Sequence, residues 1–531
     1  MPNHSEHLAN LILFEDDHLL VINKPAGWNT HAPTRFSGEG VYEWLRHREP
    51  RWATLAIIHR LDKVTSGVMI FAKTTEANRA LTGQFTERTV GKKYLLATDK
   101  RVPSAEFTVV STLRRVGERY EQSPWHEGQE RAETHFRVVD RSPGRTLVEA
   151  TPLTGRTHQI RVHAAAEGFP ILGDVLYEGT PASRVYLQSQ ELSMRHPVGD
   201  EPMTFVAPVA FETDPRWSLR EAIIDLAATT AFRLSHGASD GRPGMYVDRL
   251  GEFVLVQECS ANPEIDPQLL NPAPKGIYHK VLNRQVRRAT AAEASPQLVA
   301  GEAAPERFVI LENGVRFELG FGEGYSVGLF LDQRDNRRRF LVNHVGAGFP
   351  LFPGGAAGRE VLNTFAYTCG FSVCAAHAGA RVTSLDLSKK YLEWGRRNFA
   401  LNGLEADQHD FIYGDAMDWL RRLAKKGRSF DAVILDPPTF SQSKEGGVFR
   451  AEKDYGKLVA ATMPVLKPGG VLFASTNAAT MEPAEFLRAV EGAVAGARRT
   501  IAQQHYVPQP PDFPVSREEP AYLKTVWTRL S

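Results

Sequence analysis

The sequence predicts a multidomain chain in three parts: an α+β domain on a mixed, mainly antiparallel sheet (residues 1–212), a connecting helix with a small α+β domain (213–340), and a doubly wound α/β domain (341–531). The length of 531 residues supports several domains, because one domain usually holds roughly 100–200 residues. Two patterns separate the parts. Short alternating strand-like segments dominate the beginning, and strands alternate strictly with helices from about residue 340.

The first part contains alternating apolar segments separated by Gly, Pro and polar turns, which is typical of antiparallel strands. Residues 151–168 predict a turn, then a strand, then a helix. The strand-like segments are LLVINK, GVMIFAK, KYLLAT, FTVVSTL, FRVVD, TLVEATP and HQIRVH.

The middle part begins with a predicted connecting helix over residues 213–224. The strands GMYVDRL, FVLVQE and GIYHKVL follow it. Residues 289–306 are small and polar and predict a surface loop. Two apolar runs around Asn313-Gly314 predict a hairpin over 308–321.

Composition excludes some classes of protein. The net charge is +1, and residues 1–212 carry 25 basic and 26 acidic side chains, so charge does not by itself indicate nucleic-acid binding. An RNA surface would have to be local, as at NRQVRR (283–288) or RDNRRR (334–339), although such runs are also typical of solvated helix faces. No stretch of about 18 apolar residues predicts a membrane span.

The chain has three cysteines, Cys259, Cys369 and Cys374. The number is odd, and the last two lie in one apolar segment. We therefore expect neither a disulfide framework nor a metal site, and a reducing cytoplasm fits this pattern.

The segment HRLDKVTSG (59–67) lies between two predicted strands. Its Asp62, flanked by Arg60 and Lys63, is either a catalytic carboxylate held ionised by cations or part of a solvated turn. The segment resembles the signature of the RluA-like pseudouridine synthases. Four further segments agree with that family in order: INKPAGWNTH, QFTERTVGKKYLLA, LTGRTHQIRVHAAAEGFPILGDVLY and LQSQELSMRHP.

This resemblance implies roles for four residues. Asp62 would act on the uridine ribose so that the base can detach and rejoin through carbon 5. Tyr94 would stack on the flipped uracil, Arg161 would pair with Asp62 and keep it ionised, and Arg60 would fill the gap that the flipped base leaves. This half would need no cofactor and no metal.

In the last part, NTFAYTCGFS (363–372) ends a strand and begins a helix, and VTSLDLS places Asp386 at the end of the next strand. In a doubly wound sheet this arrangement suits a nucleotide-like ligand, although a Gly turn is also compatible with a simple strand–helix corner. Asp415 and the segment LDPPTF (435–440) end the following strands.

This half resembles the class I S-adenosylmethionine (SAM)-dependent methyltransferases with a Rossmann-like fold, especially the RlmI- and RlmK-like enzymes of 23S rRNA. The matching segments are SVGLFLDQRDNRR (326–338), LNTFAYTCGFS and DPPTFSQSK (436–444), and FRLSHGASDGRPGMYVDRLGEFVLVQ resembles the domain that precedes the core. The resemblance implies that SAM is the cofactor. Asp386 would hold the ribose of SAM, and Asp415 would contact its adenine. The loop around SAM would be lined by Asn363, Phe365 and Gly370, and Gln333 and Arg334 would close over the cofactor. The target base would face Asp436, Pro437 and Phe440, with Asp436 as the catalytic residue.

Methylation of cytosine at carbon 5 needs a thiolate. In the cytosine-methylating relatives the Cys follows the strand equivalent to VLFAST, where this chain has Ser475, Thr476 and Asn477. Guanine nitrogen 7 carries a free lone pair and needs only positioning. We therefore favour guanine nitrogen 7, with an exocyclic amine as the alternative.

The predicted partner is RNA, with 23S rRNA favoured over tRNA, and no membrane or stable protein partner is implied. Two other interpretations remain open. The chain could be a catalytically silent RNA-binding assembly factor, or its second half could methylate a small molecule or a protein. The sequence leaves open the modified positions, the oligomeric state, and whether both halves act on one RNA.

Overall fold

The computed structural model describes residues 8–209, 211–260, 270–282, 294–324, 326–443 and 447–531. The first part is built on a sheet with the order β1-β2-β4-β10-β5-β9-β8-β6-β7, in which β3 also pairs with β4 and β11 with β10. The pair β4–β10 is parallel and the other pairs are antiparallel, so the predicted mixed sheet is confirmed. Its strands are β1 (Ile12–Glu15), β2 (Leu19–Lys24), β3 (Ala56–Ile57), β4 (Ser66–Ala72), β5 (Gly91–Thr98), β6 (Glu106–Val116), β7 (Arg119–Pro124), β8 (Ala132–Ser142), β9 (Arg145–Pro152), β10 (Leu187–Arg195) and β11 (Pro202–Val206).

Helices α1 (Val41–Arg48), α2 (Thr75–Thr86) and α3 (Gln159–Ala166) accompany this sheet. The prediction of a strand at HQIRVH is wrong, because these residues run into α3. Gln159, Arg161 and His163 are buried together with the apolar residues between them, so the alternation of polar and apolar residues does not mark an exposed face.

The middle part begins with α4 (Pro215–Ile223), and Asp214 caps this helix by accepting the backbone N–H of Arg216. A sheet in the order β12-β13-β14-β15-β16 follows. The prediction of a loop is wrong for residues 297–301, which form the exposed edge strand of this sheet. An exposed edge strand needs no apolar face, so the small and polar composition around it did not indicate a strand. The strands are β12 (Ala231–His236), β13 (Tyr246–Leu250), β14 (Phe253–Glu258), β15 (Gly276–Val281) and β16 (Gln297–Gly301), and the predicted hairpin consists of β17 (Phe308–Glu312) and β18 (Val315–Leu319).

The last part contains the predicted doubly wound sheet, with the order β23-β22-β21-β24-β27-β29-β28. The first five strands in that order are parallel, and β29 is antiparallel to both of its neighbours. The strands are β19 (His344–Gly346), β20 (Phe349–Pro350), β21 (Glu360–Thr364), β22 (Arg381–Asp386), β23 (Asp410–Tyr413), β24 (Phe430–Leu435), β25 (Phe440–Ser443), β26 (Gly447–Arg450), β27 (Leu466–Thr476), β28 (Ile501–Val507) and β29 (Lys524–Leu530).

The helices of this part cover both faces of its sheet. They are α5 (Arg334–Leu341), α6 (Gly370–His377), α7 (Lys389–Leu401), α8 (Ala416–Lys425), α9 (Ala451–Thr462) and α10 (Pro483–Gly496). Chain order reverses between β21 and β24, which is where doubly wound sheets bind ligands. Within the described ranges, no helix has the length and apolar character needed to cross a bilayer.

The run RDNRRR forms most of α5 and is buried between the first and last parts. Asp335 lies 3.4 Å from Arg48 of α1, and Arg338 pairs with Glu49. Both interpretations of this run, an RNA surface and a solvated helix face, are therefore wrong, because its charges are paired inside the protein. The other basic run, 283–288, lies outside the described residues.

Candidate functional sites

The first site is a cavity of about 850 Å³ beside the sheet of the first part. Its lining includes all four residues predicted for this half, Arg60, Asp62, Tyr94 and Arg161. Asp62 lies in the turn between β3 and β4, Tyr94 on β5, and Arg161 on α3. Segments far apart in sequence therefore meet at one cavity.

Asp62 is partly exposed to the cavity and lies close to two possible donors. Arg161 Nη1 is 3.5 Å from its Oδ2, and His158 Nε2 is 3.7 Å from the same oxygen. Arg161 is itself anchored by Asp174, which accepts from its Nε at 2.7 Å and its Nη2 at 2.8 Å. Sequence reasoning missed Asp174, although it lies within the segment that carries Arg161.

Tyr94 offers a neutral ring to the cavity, because burial raises the pKa of its phenol to about 12. Its strand pairs with β10, where Tyr94 lies opposite Ser189. Ser189 also pairs with Gly67 of β4, and a Cβ at Gly67 would lie 2.0 Å from the Ser189 carbonyl oxygen. Only glycine therefore allows the turn of Asp62 to approach the strand beside Tyr94.

Lys24 stabilises a loop that borders this site. Its ammonium is fully buried and donates to the carbonyl oxygens of Trp28 (2.7 Å) and Pro25 (3.0 Å). Burial lowers its pKa to about 7. Lys24 thus holds the loop that follows β2, and the same loop continues to Asn29 and His31 in the cavity lining.

The second site is a cavity of about 430 Å³ at the carboxyl ends of the parallel strands in the last part. Its lining contains Gln333, Phe365, Gly370, Asp386, Asp436 and Pro437 among the predicted residues. Asp386 accepts the backbone N–H groups of Tyr367 and Ser388, each at 2.8 Å, and burial raises its pKa. These bonds fix the carboxylate at the end of β22 while leaving lone pairs for a ligand.

Comparison with known proteins identifies both halves. Residues 18–166 match the RNA pseudouridylate synthase family, and residues 270–529 match the S-adenosylmethionine-dependent methyltransferase family. Ribosomal RNA large subunit methyltransferase I of Aeromonas salmonicida is 33% identical over 320 residues, which are 58% of this chain and 77% of that protein. The chain belongs to this methyltransferase family. It also carries a pseudouridine synthase domain at its N-terminal side.

Other relatives agree with this assignment of the methyltransferase half. The ribosomal RNA large subunit methyltransferase of Deinococcus radiodurans is 34% identical over 316 residues, 57% of this chain and 73% of that protein. The crystal structure of the methyltransferase SMU.776 complexed with SAH aligns with a TM-score of 0.50 and 27% identity, covering 63% of this chain and 86% of the other.

The methyltransferase site fits a SAM-like cofactor. The cavity lies at the switch point, where the half-buried Asp386 carboxylate could accept hydrogen bonds from hydroxyl groups and the rings of Phe365, Tyr367 and Phe371 offer apolar contact. SAM would supply the methyl group, and these residues would hold it.

Four predicted residues lie outside the lining of this cavity. The expectation that Arg334 closes over the cofactor is wrong, because its side chain is 1% exposed and pairs with Asp512. Asn363 donates to Ser372 Oγ at 2.8 Å, Asp415 caps α8 by accepting the Asp418 N–H, and Phe440 lies against the Arg450 guanidinium. The structure does not bring these side chains to the cofactor cavity.

Other polar residues, which the sequence did not single out, do line it. Arg337, one turn beyond Arg334, is held by Glu312 at 2.6 and 2.7 Å. Asp332 accepts from the Tyr522 hydroxyl at 2.8 Å. Asn477, which the sequence analysis named only in the place of the expected thiol, also lines the cavity, just after β27. The segment LDQRDNRR contained Asp332 and Arg337, but their direction depends on how α5 begins.

A group of three side chains, Glu39, His47 and His505, spans the synthase and methyltransferase domains with ligand atoms that all lie within 4.8 Å of one another. Tetrahedral zinc, with bonds of roughly 2.0–2.2 Å, needs its ligands about 3.5 Å apart. Burial lowers the pKa of both histidines, and the nearby Arg339 guanidinium lowers it further. The positive charge of Arg339 also disfavours a bound cation. His47 instead bonds Glu39 at 2.6 Å, so the group is interpreted as a hydrogen-bonded domain contact.

Proposed function

We propose that the chain is a bifunctional RNA-modifying enzyme. Its first cavity isomerises uridine to pseudouridine, and its second methylates guanine nitrogen 7 with SAM, in large-subunit ribosomal RNA. The observation that carries the proposal is the presence of two separate cavities in one chain, each containing a carboxylate that its family assignment implicates, Asp62 and Asp386.

In the synthase half, Asp62 acts on the uridine ribose and Tyr94 receives the flipped base on its ring. The phenol stays neutral at physiological pH, so the ring is a platform for stacking. Besides Arg161, five basic side chains line this cavity and suit contact with RNA phosphates: Arg60, Lys63, Arg88, Lys92 and Arg156. This reaction needs no cofactor from the protein.

In the methyltransferase half, the choice of guanine nitrogen 7 rests on thiol placement. Neither Cys369 nor Cys374 is among the cavity's described lining residues, and both are buried. Burial raises the pKa of the Cys369 thiol to about 12 and that of Cys374 further. Such thiols are not nucleophiles at neutral pH. Ser475, one of the three residues in the place of the expected thiol, instead accepts from Gln333 Nε2 at 2.8 Å.

Methylation of an exocyclic amine is the second candidate, and Asp436 is the observation that favours it. Burial raises the pKa of this carboxylate to about 6, and it lies in the cavity lining beside Pro437. A carboxylate with this proton affinity can take the proton that an amine loses on methylation. Guanine nitrogen 7 releases no proton and would not need this step.

The product distinguishes these alternatives. The purified protein is incubated with SAM and a large-subunit rRNA transcript, and the nucleosides are separated by mass spectrometry. We expect 7-methylguanosine. Treatment of the modified RNA with borohydride and then aniline cleaves the RNA strand at this nucleotide and so gives its position. A Cys369→Ser, Cys374→Ser double variant should yield the same product. An N-methylated exocyclic amine would support the second candidate, and 5-methylcytidine would contradict the cysteine reasoning.

The RNA target is tested in cells. Deleting the gene and mapping pseudouridines and methyl groups in all stable RNAs should reveal both losses in large-subunit rRNA. Losses confined to tRNA would refute the assignment of the target while leaving both activities in place.

A further inference from the structure

His158 adopts an unusual backbone conformation next to the proposed catalytic carboxylate. Its φ is 58°, in the left-handed region, immediately before α3. For a residue other than glycine this conformation is strained. The conformation places the imidazole between Asp62, whose Oδ2 is 3.7 Å from Nε2, and Tyr177, whose hydroxyl oxygen is 2.7 Å from Nδ1.

The Tyr177 hydroxyl determines which nitrogen of the ring carries the proton. It accepts the backbone N–H of Tyr120 at 2.9 Å, so its own single proton is free to be donated to His158 Nδ1. Nδ1 is then the acceptor, and the ring proton resides on Nε2, which faces Asp62. Burial lowers the pKa of His158 more than Asp62 raises it, so the ring is neutral near pH 7.

The same tyrosine supports the second donor to Asp62. The Arg161 guanidinium lies 5.0 Å from the centre of the Tyr177 ring, and its Nε donates to Asp174 at 2.7 Å. The Tyr120 ring packs edge-on against His158. The groups that face His158 are therefore Asp62, Arg161, Asp174, Tyr120 and Tyr177.

We infer that His158 and Tyr177 are positioning residues of the synthase site: Tyr177 fixes the tautomer of His158, and His158 presents its Nε2–H to the Asp62 carboxylate. This inference rests on the proposed role of Asp62. Two donors from one end of α3 then orient the carboxylate toward the ribose. A single Arg161 contact at 3.5 Å would leave the carboxylate free to rotate.

The test compares His158→Leu, His158→Gln and Tyr177→Phe in the full-length protein. Glutamine carries an amide N–H near the position of Nε2–H, so His158→Gln should retain kcat for pseudouridine formation within about fivefold. His158→Leu should lose roughly 10- to 100-fold in kcat with KM changed less than twofold, because the Nε2–H that faces the Asp62 carboxylate at 3.7 Å is removed. Tyr177→Phe should fall between them, since the tautomer is no longer fixed.

Two further readouts separate positioning from folding. Methylation by the other half of each variant should match that of the unmodified protein, which reports an intact chain. The pair of His158 variants is the second readout, because a folding defect would lower kcat in both, whereas loss of the N–H lowers it only in His158→Leu.

A parallel Asp62→Asn variant keeps the inference separate from the proposed function. Pseudouridine formed by Asp62→Asn would remove the proposed function itself. If Asp62→Asn is inactive while His158→Leu keeps an unchanged kcat, the positioning role is overturned. Equal losses in His158→Leu and His158→Gln would also overturn it, since they would indicate a need for the imidazole itself.

Discussion

Asp512 and Arg334 form an ion pair that the protein interior encloses. Asp512 is 0% exposed, and its oxygens accept from Arg334 Nη2 at 2.7 Å and Nη1 at 2.9 Å. The Arg233 backbone N–H also donates to it at 3.1 Å. Asp512→Ala would leave the guanidinium buried, with Asp335 at 3.4 Å as its remaining acidic neighbour. Breaking a buried pair by removing one partner costs about 3–5 kcal/mol, so we expect a loss of that size in the free energy of unfolding.

Urea unfolding followed by tryptophan fluorescence measures this loss. Asp407→Ala is the matched control, because Asp407 is fully exposed and lies 3.9 Å from Arg396; we expect it to change stability by less than about 0.5 kcal/mol. The double variant Arg334→Met, Asp512→Ala should recover part of the loss, since it leaves no unpaired charge.

SAM affinity provides the second half of this test. Neither Arg334 nor Asp512 lines the cofactor cavity, so folded Asp512→Ala at low temperature should bind SAM within twofold of the unmodified protein. An unchanged unfolding midpoint would refute the ion-pair reasoning. If an Arg334→Met protein of normal stability bound SAM more weakly, Arg334 would contribute to the cofactor site after all.

Two further predictions concern the methyltransferase cavity. Asp386→Ala should weaken SAM binding by roughly 1.5–3 kcal/mol, because ribose hydroxyls lose their acceptor; unchanged affinity in calorimetry would mean that the ribose lies elsewhere. Asp436→Asn should stabilise the protein above pH 7 and leave it unchanged near pH 4. Folding raises the pKa of Asp436 from 3.8 to about 6, so the folded state favours its protonated form and stability falls as pH rises through this range. A tenfold change in proton affinity corresponds to 1.36 kcal/mol, so the gain in stability above pH 7 is at most about 3 kcal/mol. Solvent screening in the cavity makes the gain smaller than this limit. Melting temperatures from pH 4.5 to 8 measure the difference, and a constant difference across that range would contradict it.

The sequence predicted the parallel part of the doubly wound sheet well because its five strands alternate with helices along the chain; β28 and β29, which no helix separates, do not follow this pattern. Asp386 and Asp436 were predictable for the same reason, since residues that end parallel strands meet at one edge. The four synthase residues were found only through a family signature, because Asp62 and Tyr94 meet through strand pairing over long sequence distances.

The failures have a common physical cause. Local pattern does not reveal which buried polar side chains find partners far along the chain. Gln159 and His163 looked like one face of a strand because their partners on β6 and β8 were not visible in the sequence. Arg334 and Arg337 lie three residues apart, yet Arg334 meets Asp512 and Arg337 borders the cofactor cavity. That difference depends on helix rotation, which the sequence does not specify.

The central claim is that two independent catalytic sites in one chain modify RNA, and one measurement tests it most directly. A large-subunit rRNA transcript is incubated with SAM and either the unmodified protein or Asp62→Asn, and pseudouridine and methylated nucleosides are counted by mass spectrometry. The unmodified protein should produce both. Asp62→Asn should produce no pseudouridine and the full amount of methylated nucleoside, because Asp62 lines only the synthase cavity of the two described here. Pseudouridine from Asp62→Asn, or loss of both products together, would contradict the account.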